Sequence, residues 1–211
     1  MIRRQALAAA ALLLLTAAAA PLSAAPAPAA TLSTEDRALV DRAAGYLDAL
    51  GEAKGRFVQT DARGVSSEGE LYLNRPGKAR FEYQSPASLL VVADGHTVMV
   101  YDRRLQTFNR YPLGATPLGL FLQRHVRLDQ KVMVTRVDRT PGGFSITARD
   151  GGRQARGEIT LSFSEAPLAL RSWSIVDAQG ARTAVKVVDL QPASGLDPGL
   201  FQLRNPLRPA G

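Results

Sequence analysis

The side chains able to do chemistry in this 211-residue chain are few and scattered. His96 and His125 are its only histidines, and neither belongs to a His/Asp/Glu group at metal-ligand spacing. His96 follows Asp94-Gly95, where a histidine is ordinarily a solvated turn residue. Cysteine is absent, which excludes disulfides, thiolate metal sites, cysteine nucleophiles and a lipid anchor on a first mature cysteine. No Gly-x-Ser-x-Gly elbow occurs, and Ser162, Ser164 and Ser172 stand in strand patterns with no base near them in sequence. Gly142-Gly143 and Gly151-Gly152 fall between strands, where hairpin turns need them, and do not form a phosphate-cradling loop. The reading is a protein that is not an enzyme, with no catalytic residue, metal ligand or cofactor assigned. An envelope hydrolase built from sequence-distant residues is the alternative, and it requires a histidine within hydrogen-bonding reach of a serine hydroxyl.

Binding is the chemistry the remaining features suit. Asn74-Arg75-Pro76-Gly77 ends one strand and turns tightly into the next. Arg75 is read as a latch that aims its guanidinium at backbone carbonyls of residues 117–122, a charged donor bond worth roughly 1.5–3 kcal/mol; a plain surface arginine is the alternative. The segment holding Pro117, Leu118, Leu120 and Phe121 is too short for a core helix and too apolar for a loop, so it is expected as a lid over something apolar, or else as a connector packed on the sheet. The apolar inventory is soft and suits a smooth cavity. Phe57, Leu71, Leu73, Phe81 and Tyr83 are expected to line it, followed by Leu90, Val92, Val98, Val100 and Met133. A one-residue register slip would turn a whole strand's set to the other face. Trp173, the single tryptophan, and Phe163 read as core.

The elements that would position these residues follow from periodicity. Ser33-Thr34-Glu35-Asp36 has the spacing of a helix start, and Leu39, Val40, Ala43, Tyr46, Leu47 and Leu50 then recur on one helical face, predicting a helix over 34–50 that Gly51 stops. Strands are predicted at 56–61, 68–74, 79–84, 88–93, 96–101 and 105–111, with Asp94-Gly95 as a strong hairpin signal. Thr116-Pro117 reads as an N-cap with proline at the first helical position. Further strands are predicted at 131–138, 143–149, 156–163, 168–176 and 182–190. No βαβ alternation is present. The expected fold is mainly β with an α lid: an incomplete, strongly curved antiparallel barrel of about 10–11 strands covered by helices, because a long sheet tends to curl or close.

The N-terminus bears on where the chain works. Arg3 and Arg4 precede an uncharged apolar run, residues 6–20, and a small-residue stretch, PLSAAPAPAA. That order is a secretory signal peptide. Its core of about 15 residues is shorter than the roughly 20 a spanning helix needs, although a retained single anchor is the alternative. Residues 1–29 are read as the signal, with cleavage after Ala29 or Ala25 and either the general or the twin-arginine route, leaving 30–211 as one domain exported to the periplasm. Of the formal charge of +7, Arg3 and Arg4 carry two. The remainder fits solubility, or a mild attraction to anionic membrane surfaces or an acidic partner. Nucleic acid is not expected, since the arginines are scattered and no binding motif is present.

Several of these segments together resemble the LolA family, the periplasmic carriers of bacterial outer-membrane lipoproteins. The similarity runs through Phe57-Val58-Gln59, then Gly69-Glu70-Leu71-Tyr72-Leu73-Asn74-Arg75-Pro76, then Phe81-Glu82-Tyr83 with Pro86, then Val92-Ala93-Asp94-Gly95 with Thr97, Val98, Tyr101 and Asp102, and then Thr116-Pro117-Leu118. The resemblance implies an incomplete antiparallel barrel with an α-helical lid, a cavity that takes lipoprotein acyl chains from an inner-membrane lipoprotein-releasing exporter, and delivery to an outer-membrane receptor. It implies that Arg75 holds the lid closed, and the protein is expected to be a monomer. Ala79 stands where the family has a cavity aromatic, Tyr72 replaces a usual tryptophan, and Met99 stands where an aromatic is common. An added C-terminal strand found in some members is expected to be missing. Another envelope lipid as cargo, or a non-enzymatic scaffold role, are the alternatives.

Overall fold

The computed structural model describes residues 32–122, 132–151 and 157–207. The expected signal peptide, its cleavage site and His125 lie outside the described residues. The chain opens with helix α1 (Thr34–Ala49), whose N-cap Ser33 accepts a hydrogen bond from the Asp36 N–H at 3.0 Å. Its apolar stripe, Leu39, Val40, Ala43 and Leu47, is buried as the 3.6-residue period requires.

Six strands follow as consecutive hairpins: β1 (Glu52–Thr60), β2 (Ser66–Asn74), β3 (Lys78–Tyr83), β4 (Leu89–Asp94), β5 (Thr97–Asp102) and β6 (Thr107–Pro112). The turn between β4 and β5 is fixed by Asp94, whose Oδ1 accepts from the N–H groups of His96 at 2.9 Å and Thr97 at 2.8 Å, with Gly95 at φ +106°. A 3-10 turn (Leu113–Ala115) leads into helix α2 (Pro117–Leu122). Five more strands follow among the described residues: β7 (Val132–Thr140), β8 (Gly143–Asp150), β9 (Glu158–Glu165), β10 (Leu168–Val176) and β11 (Arg182–Pro192), then a second 3-10 turn (Pro198–Phe201).

All eleven strands form one antiparallel sheet in the order β6-β5-β4-β3-β2-β1-β11-β10-β9-β8-β7. Every neighbour is a sequence neighbour except β1 and β11, which join the two halves along Ala53–Thr60 and Ala184–Pro192. The sheet corrects the expectation of a strongly curved, incomplete barrel. It is open and not strongly curled, and β6 and β7 are its two separate edges. The physical reason is that closure is not needed to bury the apolar faces. Helices α1 and α2 cover one face, and the segment after β11 covers part of the other.

The main core lies between the sheet and the helices and holds the buried residues of α1, α2 and most strands. A smaller cluster, Leu90, Val92 and Met99 with Tyr101, Phe108 and Leu203 against it, lies apart from it. The C-terminal segment is held over this second cluster by the Arg80 Nη1 bond to the Leu200 carbonyl at 3.2 Å.

Candidate functional site

The β2–β3 turn carries Arg75 to the C-terminal end of α1. Gly77 there needs its φ of +84°, and a side chain in its place would meet the backbone of Gly95 at 2.9 Å. The side chain of Arg75 is 4% exposed. Its Nη1 donates to the carbonyl of Leu47, in the last turn of α1, and its Nη2 lies 4.0 Å from Asp48 Oδ1. A cation at a helix C-terminus meets the negative end of the helix dipole. Burial pushes the guanidinium below the ordinary arginine value, and the Asp48 carboxylate pushes it back up.

The same guanidinium faces α2, with its Cζ 5.8 Å from the centroid of the Phe121 ring. Phe121 in turn stacks on Trp173 of β10, with centroids 5.5 Å apart and planes 19° apart. The neighbouring Gly77 N–H donates to the Leu122 carbonyl at 2.7 Å. The β2–β3 turn therefore contacts both helices, and the sequence reading had considered only the second. Alpha-carbon crowding sets α2 tightly on the turn before it, because a Cβ at Gly119 would stand 2.4 Å from the Leu113 carbonyl.

Between the helices and one half of the sheet lies an apolar cavity of about 20 Å³. Its roof is Val40, Ala43, Ala44 and Leu47 of α1 with Leu120 of α2. Its floor is made by Val132 and Val134 of β7, Ile146 and Ala148 of β8, and Ile159 and Leu161 of β9. A space this size is about that of one water, and an all-apolar wall keeps it dry. It arises where three alanines meet, Ala43 and Ala44 above and Ala148 below. Those alanines were the available sequence signal, and sequence reasoning missed them because nothing local places them opposite one another.

The residues nominated from sequence divide by face. Phe57, Leu71, Leu73, Phe81, Tyr83 and Val98 are buried in the main core, and Val100 packs against it half-buried. Leu120 and Phe121 are buried there too, with Leu118 at its margin and Pro117 opening α2 half-buried. Leu90 and Val92 correct the expectation: they point to the opposite face, in the second cluster. In β4 the alternate residues Leu89, Val91 and Ala93 pack on the main core instead, so the strand was read one residue out of phase. Met133 likewise falls on the other pleat from the buried Val132 and Val134, with its Sδ 3.4 Å from Arg149 Nη2. Tyr83 donates to Gln59 Oε1 at 2.6 Å, and burial pushes its phenol up to about 12 against a smaller downward pull from that bond. Among the described residues no group of three His, Cys, Asp or Glu side chains is placed to hold a metal ion.

The family model described as outer membrane lipoprotein carrier protein LolA matches residues 49–204. The chain belongs to the LolA family. Its members are non-enzymatic, and the chain is a periplasmic protein of this carrier-like class. It is 31% identical over 104 residues to an outer-membrane lipoprotein carrier protein of Cupriavidus pinatubonensis, a match covering 44% of this chain and 49% of that relative. It is 28% identical over 175 residues to the outer-membrane lipoprotein carrier protein of Alkalilimnicola ehrlichii, covering 77% of this chain and 78% of the relative. In fold it is similar to the crystal structure of a DUF1329 family protein from Desulfovibrio piger, with a TM-score of 0.51, 10% identity, and 80% and 96% of the two chains covered. The identities are low, so membership fixes the class and leaves the cargo to be argued from the site.

Proposed function

We propose that this protein shields the acyl chains of a lipoprotein in the space between its sheet and its two helices, and carries them from an inner-membrane lipoprotein-releasing exporter to an outer-membrane receptor. The observation that supports this reading is the all-apolar cavity roofed by α1 and α2. Sheltering a 16-carbon chain from water is worth roughly 12 kcal/mol gross, at about 0.8 kcal/mol per methylene. A cavity of about 20 Å³ cannot hold such a chain, so cargo enters as the helices lift. Among the described residues, the polar contacts that resist lifting include Arg75 on the Leu47 carbonyl and the Phe121 ring, and Gly77 on the Leu122 carbonyl. As the helices lift, cargo takes the place of their apolar packing on the sheet, which suits a carrier that must also release.

On the outer flank of α1, ion pairs add a second restraint. Arg139 of β7 lies 2.9 Å from Asp36 and 3.5 Å from Glu35, and Arg42 lies 3.2 Å from Glu165 at the end of β9. The cavity sits under this helix, so the rim of the gate runs along α1 as well as α2.

The experiment is titration of the purified protein with a fluorescent fatty-chain probe, followed by transfer of a lipopeptide to acceptor vesicles. Saturable binding with probe emission shifted as in an apolar medium supports the carrier. A probe that never partitions into the protein overturns it and favours a scaffold role.

A further inference from the structure

The two edges of the open sheet are unlike. β7 carries a bulge between Val134 and Arg136, its Arg136 pairs with Asp138 at 2.8 Å, and Arg139 ties it to α1. A bulge is one way in which a sheet blunts an edge. β6 has no bulge. It runs opposite β5 in unbroken register from Thr107 to Pro112, and five of its six residues are exposed, Phe108 alone being half-buried.

The direction of its backbone groups follows from one bond. The Leu113 N–H donates to the His96 carbonyl at 2.7 Å, so these opposed residues are a hydrogen-bonded pair. Alternation then turns Tyr111, Asn109 and Thr107 toward β5. The N–H and C=O groups of Phe108 and Arg110 point away from the sheet. Pro112 falls where its missing N–H would face outward, so it costs the β5–β6 ladder nothing.

The charge on this edge is one-sided. Residues 103–112 hold Arg103, Arg104 and Arg110 and no acidic residue. Asp102, just before them, has its Oδ1 engaged by the N–H groups of Arg104 at 2.8 Å and Leu105 at 2.9 Å. Glu82 stands 4.0 Å from Arg103 and Asp94 acts on Arg110 from the next turn, which offsets part of the charge, while Arg104 has no ion pair among the described residues. A second copy added edge to edge would set this cationic stretch against itself, and like charges opposed across strands destabilise the pairing. An acidic strand meets the opposite sign.

We propose that β6 is a docking edge, and that an extended acidic segment of a partner protein adds to it as a further strand, bonded to the backbone of Phe108 and Arg110 and drawn in by Arg103, Arg104 and Arg110. In such an addition the backbone ladder supplies affinity and the side chains supply selectivity. The inference stands apart from the lipid cavity, and its test involves no lipid uptake.

The test is amide hydrogen exchange of the whole protein with a synthetic peptide of alternating glutamate and valine, and with its lysine and valine counterpart. The glutamate peptide is expected to slow exchange at Phe108 and Arg110, to bind several-fold more weakly in Arg104→Gln and Arg110→Gln, and to weaken as salt rises. Arg110→Pro removes an outward N–H and is expected to weaken binding further than Arg110→Gln. If that variant unfolds, a peptide N-methylated on its strand-facing amides replaces it and is expected not to bind. The proposal is overturned if both peptides bind alike, if neither protects Phe108 and Arg110, or if vesicles of anionic phospholipid engage the same arginines while the peptide does not.

Discussion

The guanidinium of Arg75 stands over the ring of Phe121, 5.8 Å from its centroid. Phe121 is fully buried and stacks on the indole of Trp173. One arginine thus touches α2 through a ring and α1 through the Leu47 carbonyl, so the turn between β2 and β3 contacts both helices.

Replacing this arginine removes both contacts at once. Arg75→Leu is expected to fold and to lose roughly 1.5–3 kcal/mol of stability, the worth of a hydrogen bond from a charged group. The fatty-chain probe should enter and leave it faster. Arg75→Lys should not restore the wild-type rates, because an ammonium lacks the planar fork that faces ring and carbonyl together. Urea unfolding and stopped-flow probe release check the two halves; unchanged release kinetics would sink the latch.

The cavity makes an opposed pair of predictions. Leu120→Ala enlarges it and should cost about 2–5 kcal/mol. Ala148→Val fills it and should gain about 0.5 kcal/mol, from a void of about 20 Å³ at about 24 cal/mol per Å³. If the cavity is the floor of the cargo space, Ala148→Val also lowers probe affinity. Equal affinity in a stabilised Ala148→Val protein would place the cargo elsewhere.

The ion pairs along α1 predict a salt effect. Arg42→Gln lies on an exposed pair and should change stability by less than about 1 kcal/mol, whereas Arg139→Gln, facing the half-buried Asp36, should cost more than Arg42→Gln. Each should nevertheless speed probe entry, and raised ionic strength should speed entry into the wild type but not into the double variant. Salt-independent entry rates in the wild type would remove α1 from the gate.

Tyr83 gives an alkaline signature. Its folded value of about 12 lies above the ordinary 10, so the folded state holds the phenol's proton more firmly than the unfolded chain. That stability is fully present below about pH 10 and is lost as pH rises toward about 12. Tyr83→Phe should flatten this slope in urea unfolding measured across the same range. A slope unchanged by the substitution would show that other groups govern the alkaline limb.

Much of the fold was legible in the chain. The helix came from the spacing of Leu39, Val40, Ala43 and Leu47, and the β4–β5 hairpin from Asp94-Gly95, because these signals act within a few residues of themselves. The phase of β4 was not legible. Residues 89–93 are apolar throughout, so alternation carries no information there, and only the helices on one face and the C-terminal segment on the other decide that Leu90 and Val92 face away from the main core. The open sheet was not legible either, since strand count does not say whether the edges meet.

By itself the sequence determined the element order, the lack of any thiol chemistry, and the run of motifs from Phe57 to Leu118 that resembles the LolA family. Those are properties of neighbours along the chain. The tertiary structure alone decided that Arg75 reaches the Leu47 carbonyl, that Ala43, Ala44 and Ala148 leave a gap between helix and sheet, and that β6 is an edge of the sheet among the described residues. Each of these joins residues far apart in sequence, and such pairings are fixed by the sheet's register and the seating of the helices, which no local pattern encodes.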